Sequence, residues 1–119
     1  MSFVNLFFPK SFRLLTKADY SYLMTDNKVV RSRTFMFFFK PNQVEHARLG
    51  LSVSRKVGNS VSRNLIKRMS REYFRHSSVK NYHFDLHMVA RVPAGKLNKE
   101  ELKKNIIHIF SLLDHELSK

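Results

Sequence analysis

The sequence predicts a single α+β domain whose elements run α-β-β-α-β-α. Its 119 residues are the length of one domain. Apolar and polar residues alternate as in strands through the middle of the chain and again near residue 84, while the stretches after residues 60 and 98 repeat apolar residues at helical spacing. No internal repeat or low-complexity linker divides it. The expected product is a mixed sheet packed with helices, one domain over 1–119.

Residues 1–15 are irregular and partly apolar. Phe3, Val4, Leu6, Phe7 and Phe8 are expected to cover the edge of the core, because so many exposed apolar side chains would be sticky. Pro9 argues against one continuous helix. Thr16-Lys17-Ala18-Asp19 has the form of a capping box with Asp in place of Glu, and a helix follows from about Lys17 to Met24. Tyr20, Leu23 and Met24 share helical spacing and read as core. After a polar turn, a strand runs from about Val29 to Lys40. Phe35, Phe37 and Phe39 point to one face and Met36 and Phe38 to the other. Both faces are apolar, so one suits a core and the other a groove floor.

Pro41 to His46 reads as a hairpin loop. In the next strand, about Ala47 to Ser54, Leu49, Leu51 and Val53 alternate with Arg48, Gly50, Ser52 and Ser54. The small polar side faces either a ligand or solvent, and Gly50 leaves its backbone open to close approach. Gly58 supplies freedom to the following turn, and Asn59 or Ser60 caps a helix ending near Arg75 or Ser77. A polar loop, a strand from about Phe84 to Val92 and a turn at Pro93 to Lys96 come next. Asn98 with Glu101 caps the last helix, about Lys99 to Leu117, whose buried stripe is Leu102, Ile106, Ile109, Phe110 and Leu113.

The helix after residue 60 has two opposite faces. At about 100° per residue, Val61, Leu65, Ile66, Met69 and Tyr73 share one side, and Arg63, Asn64, Lys67, Arg68, Arg71 and Arg75 the other. Between Arg55 and Arg75 there are seven basic residues and one acid, Glu72, so this segment carries +6 of the chain's net +13. Solvated helix faces usually pair acids with bases at four-residue spacing, whereas Arg63, Lys67 and Arg71 repeat one sign. Such a face points to a polyanion, nucleic acid before an anionic membrane. The helix start, with its free N–H groups, also favours phosphate.

No Cys is present, which excludes a disulfide framework and thiolate metal sites. No apolar run approaches the ~20 residues that span a bilayer, and the N-terminus lacks a basic start and a cleavage site, so the expectation is cytoplasmic. No catalytic constellation emerges. His83 and His87 would lie roughly 13 Å apart on a strand, and no acid pair or serine–histidine pair is evident in sequence, so neither catalytic residues nor a protein-held metal are expected.

The segment GLSVSRKVGNSVSRNLIKRMSREYF resembles the protein subunit of bacterial ribonuclease P: a strand ending Ser-Val-Ser, Arg-Lys, a glycine turn, then an Arg-Asn motif followed by Lys-Arg and a further Arg. Compatible flanks are Arg13-Leu14, the aromatic first strand and MVARVPAG. The resemblance implies a four-stranded mixed sheet with three helices and a left-handed βαβ crossover, the ribosomal protein domain 2-like architecture. It implies binding to a catalytic RNA that, with Mg²⁺ held mainly by that RNA, removes the 5′ leader of precursor tRNA. The chain would be the protein component of this endoribonuclease, a monomer in a 1:1 complex. By the same resemblance, Lys56, Arg63, Asn64, Lys67, Arg68 and Arg71 contact RNA, and Tyr20, Met24 and Phe38 line the cleft for the leader. Leu65 stands where the family usually has Arg, which implies one peripheral RNA contact fewer or a packing adjustment, not a loss of function. A general RNA-binding structural protein and a DNA-binding regulator are the competing readings. The motif order over residues 49–75 argues against the first, and the strand preceding the basic helix against the second.

Overall fold

Two capping boxes set the first and last helices where the sequence places them. In the computed structural model, which describes residues 10–119, helix α1 spans Lys17–Met24 and α3 spans Lys99–Leu117. Thr16 and Asp19 exchange side-chain and backbone hydrogen bonds at the first, and Asn98 and Glu101 at the last. The packing expected of Phe3, Val4, Leu6, Phe7 and Phe8 lies outside the described residues. Between the two helices run β1 (Lys28–Arg31), β2 (Phe35–Pro41), β3 (Arg48–Ser52), α2 (Ser60–His76) and β4 (Phe84–Ala90). Asn59 caps α2 by accepting from Ser62 N–H at 2.9 Å.

The strand expected over 29–40 is two strands, which makes the order α-β-β-β-α-β-α. Ser32 breaks it. Its Oγ accepts from the N–H groups of Thr34 at 3.3 Å and Phe35 at 3.1 Å, and its own N–H donates to Phe35 O at 2.8 Å. A hydroxyl bonded to backbone within three residues replaces the ladder with a turn. The two arms then pair antiparallel, from Lys28 with Phe39 to Arg31 with Met36.

The segment after Pro41 is not a hairpin loop. The sheet order is β1-β2-β4-β3, with β4 antiparallel to β2 and parallel to β3. The chain leaves β2, passes the position that β4 occupies, and returns through α2 to fill it. Contacts to the β4 end hold this passage: Asn42 N–H donates to His83 O at 3.0 Å, and Ala47 N–H to Lys80 O at 2.9 Å. Alternation within β2 and β3 identifies each strand but not its neighbour.

Phe35, Phe37, Phe39, Leu49, Leu86 and Met88 face α2 and α3 and are buried. Phe110 of α3 meets Phe37 edge-on at 4.9 Å between ring centroids. The α3 stripe is buried as expected, with Leu117 added. On α2 the inward line is Ile66, Ser70 and Phe74. Leu65, Met69 and Tyr73 flank it half-buried, and Val61 is 76% exposed. Val61, grouped with the apolar side in sequence, is exposed, while Phe74 and Ser70, not grouped with it, are buried; hydropathy does not register the small Ser70. A small side chain lets the helix approach its neighbours whatever its polarity. Gly58 does not adopt a positive φ. Its missing side chain instead leaves room for Ser62, whose Cβ would sit 3.2 Å from an added Cβ.

Candidate nucleic-acid interface

Helix α1 lies on the sheet face opposite α2 and α3, and charges from the sheet fix both its ends. At its start Asp19 accepts from the N–H groups of Leu15 and Thr16 at 3.0 and 3.1 Å and pairs with Arg48 at 3.3 Å. Partial burial raises the Asp19 carboxyl, but those two N–H groups and the Arg48 charge outweigh it and hold the group below the usual carboxylate value. Arg48 also grips the fully buried Asp85 of β4 through Nε at 2.8 Å and Nη2 at 2.7 Å. At its end Lys40 of β2 donates to Tyr22 O at 2.9 Å and Thr25 O at 2.7 Å, satisfying terminal carbonyls where a cation is favoured. Leu23 fills the space beneath and is fully buried. Of the three α1 residues read as core, only Leu23 is wholly core. Tyr20 is half-buried and Met24 is 46% exposed.

Phe38, His87 and Gly50 form a row across β2, β4 and β3 beneath α1. The Tyr20 ring stands over Gly50, where an added Cβ would lie 2.8 Å from Cε1 and from Cζ. This is the close approach that Gly50 permits. Tyr20 meets His87 edge-on at 5.1 Å, and Phe38 lies tilted to His87 at 6.2 Å. Ser52 Oγ and His87 Nε2 are 2.7 Å apart. The result is a partly exposed aromatic surface with one polar pair, where the leader cleft is expected. It brings together Tyr20 and Phe38 from the expected set, while Met24 continues the same α1 face one turn further on.

The sequence reading left His87 and Ser52 without a site. In sequence His87 figures only as half of a metal-spaced pair, and Ser52 as a small polar strand residue and a serine with no His nearby; the fold brings the two to 2.7 Å. Ser52 follows Gly50 by two residues and His87 pairs with Gly50, a signal only once β3 and β4 are known to be neighbours.

Beside the cleft runs the basic face of α2. Lys56, Asn64, Arg68 and Arg71 are exposed, and Arg63 and Lys67 are half-buried. Arg63 Nε donates to Gly58 O at 3.1 Å, which fixes its stem near the helix start. Among the described residues no carboxylate pairs with Lys56, Arg63, Lys67, Arg68 or Arg71. The one acid of the helix, Glu72, is turned to Arg75 at 2.7 Å and His76 at 3.3 Å. Burial and the like charge of Arg13 hold Arg71 below its ordinary pKa. Burial raises the Tyr20 phenol, with Asp19 adding to the rise and Arg71 opposing it. Arg71 and Tyr20 are therefore near enough for their charges to influence each other. Leu65 packs half-buried against the core.

Among the described residues no three His, Asp or Glu side chains converge as metal ligands, and no helix is long and apolar enough to cross a membrane. Stacking rings beside unpaired guanidinium and ammonium groups suit single-stranded nucleic acid, with bases on the rings and phosphates on the cations.

A family model described as Ribonuclease P matches residues 8–114. A ribonuclease P protein component from Streptococcus agalactiae serotype III is 32% identical over 103 residues, covering 87% of this chain and 94% of its own. One from Desulfosudis oleivorans is 36% identical over 104 residues, covering 87% and 86%. Among solved structures, the Staphylococcus aureus RNase P protein superposes with TM-score 0.77 at 32% identity, covering 87% of this chain and 96% of its own. The Thermotoga maritima protein, in complex with 1-(4-fluorophenyl)-2-thiourea, gives 0.70 at 25%, covering 82% and 95%.

Proposed function

The chain belongs to the ribonuclease P protein family, and from that premise we propose that it binds the family's catalytic RNA through the α2 face and the 5′ leader of precursor tRNA through the adjoining cleft. Membership makes it a ribonuclease P protein component acting in tRNA processing with an RNA partner. The finer assignment gives Lys56, Arg63, Asn64, Lys67, Arg68 and Arg71 to the RNA subunit, and Tyr20, Met24 and Phe38 to the leader. The observation that carries it is the pairing, on one small domain, of an α2 face whose cations have no carboxylate partner among the described residues with a partly exposed row of Tyr20, Phe38 and His87 rings.

The proposal places Mg²⁺ mainly with the RNA, as the family resemblance implies, and the chain's own residues bind and orient. The same reading makes the protein cytoplasmic and a monomer in a 1:1 complex with the RNA.

Reconstitution tests it. Purified protein is mixed with a bacterial ribonuclease P RNA and a 5′-extended tRNA at low Mg²⁺, and leader release is followed. Stimulated cleavage at the mature 5′ end is the expected result. A folded protein that leaves its cognate RNA unstimulated would return the chain to general RNA binding. Lys67→Ala and Arg68→Ala are each expected to weaken RNA-subunit binding and flatten its dependence on log salt by about one phosphate at most. An unchanged slope removes that residue from the interface.

A further inference from the structure

The cleft contains a polar pair that stacking does not use. His87 and Ser52 approach diagonally across the parallel β3–β4 ladder, with Nε2 and Oγ 2.7 Å apart. The other ring nitrogen, Nδ1, is buried without a protein hydrogen-bond partner. That decides the tautomer. A proton on Nδ1 would leave a buried N–H unpaired, whereas a bare lone pair there is the milder defect. Burial also holds the imidazole below its ordinary pKa, so the ring is neutral at pH 7. The single proton therefore sits on Nε2 and is donated to Ser52 Oγ. A hydroxyl whose lone pair is taken in this way turns its own proton elsewhere. Ser52 is exposed, and among the described residues its hydroxyl bonds only to His87.

We propose that Ser52 is the hydrogen-bond donor of the cleft, positioned by His87, and that it reads an acceptor on the edge of a leader nucleobase held against Phe38 and Tyr20. This rests on the leader occupying the cleft. A base edge is the better target than a phosphate. Phosphates are met by the cations of α2, whereas Ser52 and His87 bring no charge and lie among aromatic rings. A neutral donor among rings matches a neutral acceptor on a stacked base, such as a purine N7 or a carbonyl oxygen. The pair would therefore give the holoenzyme a nucleotide preference at one leader position. Ser52 makes the contact, and His87 acts through it as a positioning residue.

The test uses holoenzyme reconstituted from the full chain and a ribonuclease P RNA. Precursors carry each of the four nucleotides at each leader position in turn, and binding is measured for every one. The wild-type protein is expected to favour some nucleotides over others at one position by about 2- to 10-fold, the worth of one neutral hydrogen bond. Ser52→Ala should erase that preference and leave binding at the level of the disfavoured nucleotides. His87→Phe should do the same, while His87→Gln should keep the preference because its amide N–H still reaches Ser52. Urea midpoints of all three variants check the fold. Equal loss for all four nucleotides, loss of the same size on mature tRNA, or an unchanged preference in Ser52→Ala would overturn the assignment. Phe38→Ala separates the two levels. If it weakens leader-bearing precursor selectively while Ser52→Ala changes nothing, the cleft reading stands and the donor reading fails. If Phe38→Ala does not discriminate leader-bearing from mature tRNA, the cleft reading itself falls.

Discussion

Replacing Arg48 by Met will destabilise the protein by about 3 kcal/mol, seen as a lower urea midpoint at unchanged slope. The figure follows from what is left behind. Asp85 is fully buried, and both its oxygens are held by Arg48, with Asn42 Nδ2 adding a third bond at 2.9 Å. Without the guanidinium a buried carboxylate keeps only the amide. The lower end of the usual range applies because the Arg48 side chain is 23% exposed, so water partly screens the pair. Removing the carboxylate as well, in Arg48→Met/Asp85→Leu, should recover much of the loss, since no unpaired charge then remains. If the single variant unfolds at the wild-type midpoint, the Arg48–Asp85 pair between β3 and β4 does not stabilise the fold.

Gly50→Ala will weaken holoenzyme binding of leader-bearing precursor by about 5- to 100-fold, the worth of one stacked base, while binding of mature tRNA stays the same. The new Cβ would fall 2.8 Å from Tyr20 Cε1 and Cζ, and it has no room unless the ring leaves. The ring is the far end of a side chain, so it swings away while the strand holds. A double-mutant cycle isolates the cause. In a Tyr20→Ala background the same Gly50→Ala change should cost neither binding nor stability, because nothing remains to displace. Equal losses in both backgrounds would place the effect in β3 itself. Loss on mature tRNA of the same size would take Tyr20 out of the leader site.

The parts of the fold that depend on residues three or four apart were legible from sequence. The Thr16–Asp19 and Asn98–Glu101 boxes locate α1 and α3, and the basic run locates α2. What depends on partners distant in the chain was not. Ser32 looked like one more strand residue because its turn is made by a hydroxyl to backbone bond, which periodicity does not register. The neighbour of β3 was misread because β4 arrives some thirty residues later. That single topological fact also hid Ser52 and His87, which are apart in sequence and 2.7 Å apart in space. The cationic face of α2 was visible in full because one helix carries all of it except Lys56. The aromatic cleft was visible only in part, because three strands and α1 each contribute a piece.

The central position of β4 has a consequence for how the molecule comes to exist. Strands β2 and β3 do not touch; they are joined to each other only through β4, which lies between them. A nascent chain that has been made as far as Asn81 therefore holds one finished hairpin, β1–β2, and a β3 whose sheet partner has not yet been synthesised. Phe35, Phe37 and Phe39 must wait for Leu86, Met88 and Phe110 before they are covered. The domain thus has no stable half. It should fold in one step after release of its last helix, at a rate set by closing the long β3–β4 loop. Until then the ribosome carries an open apolar edge on a strongly positive chain, beside a great deal of RNA.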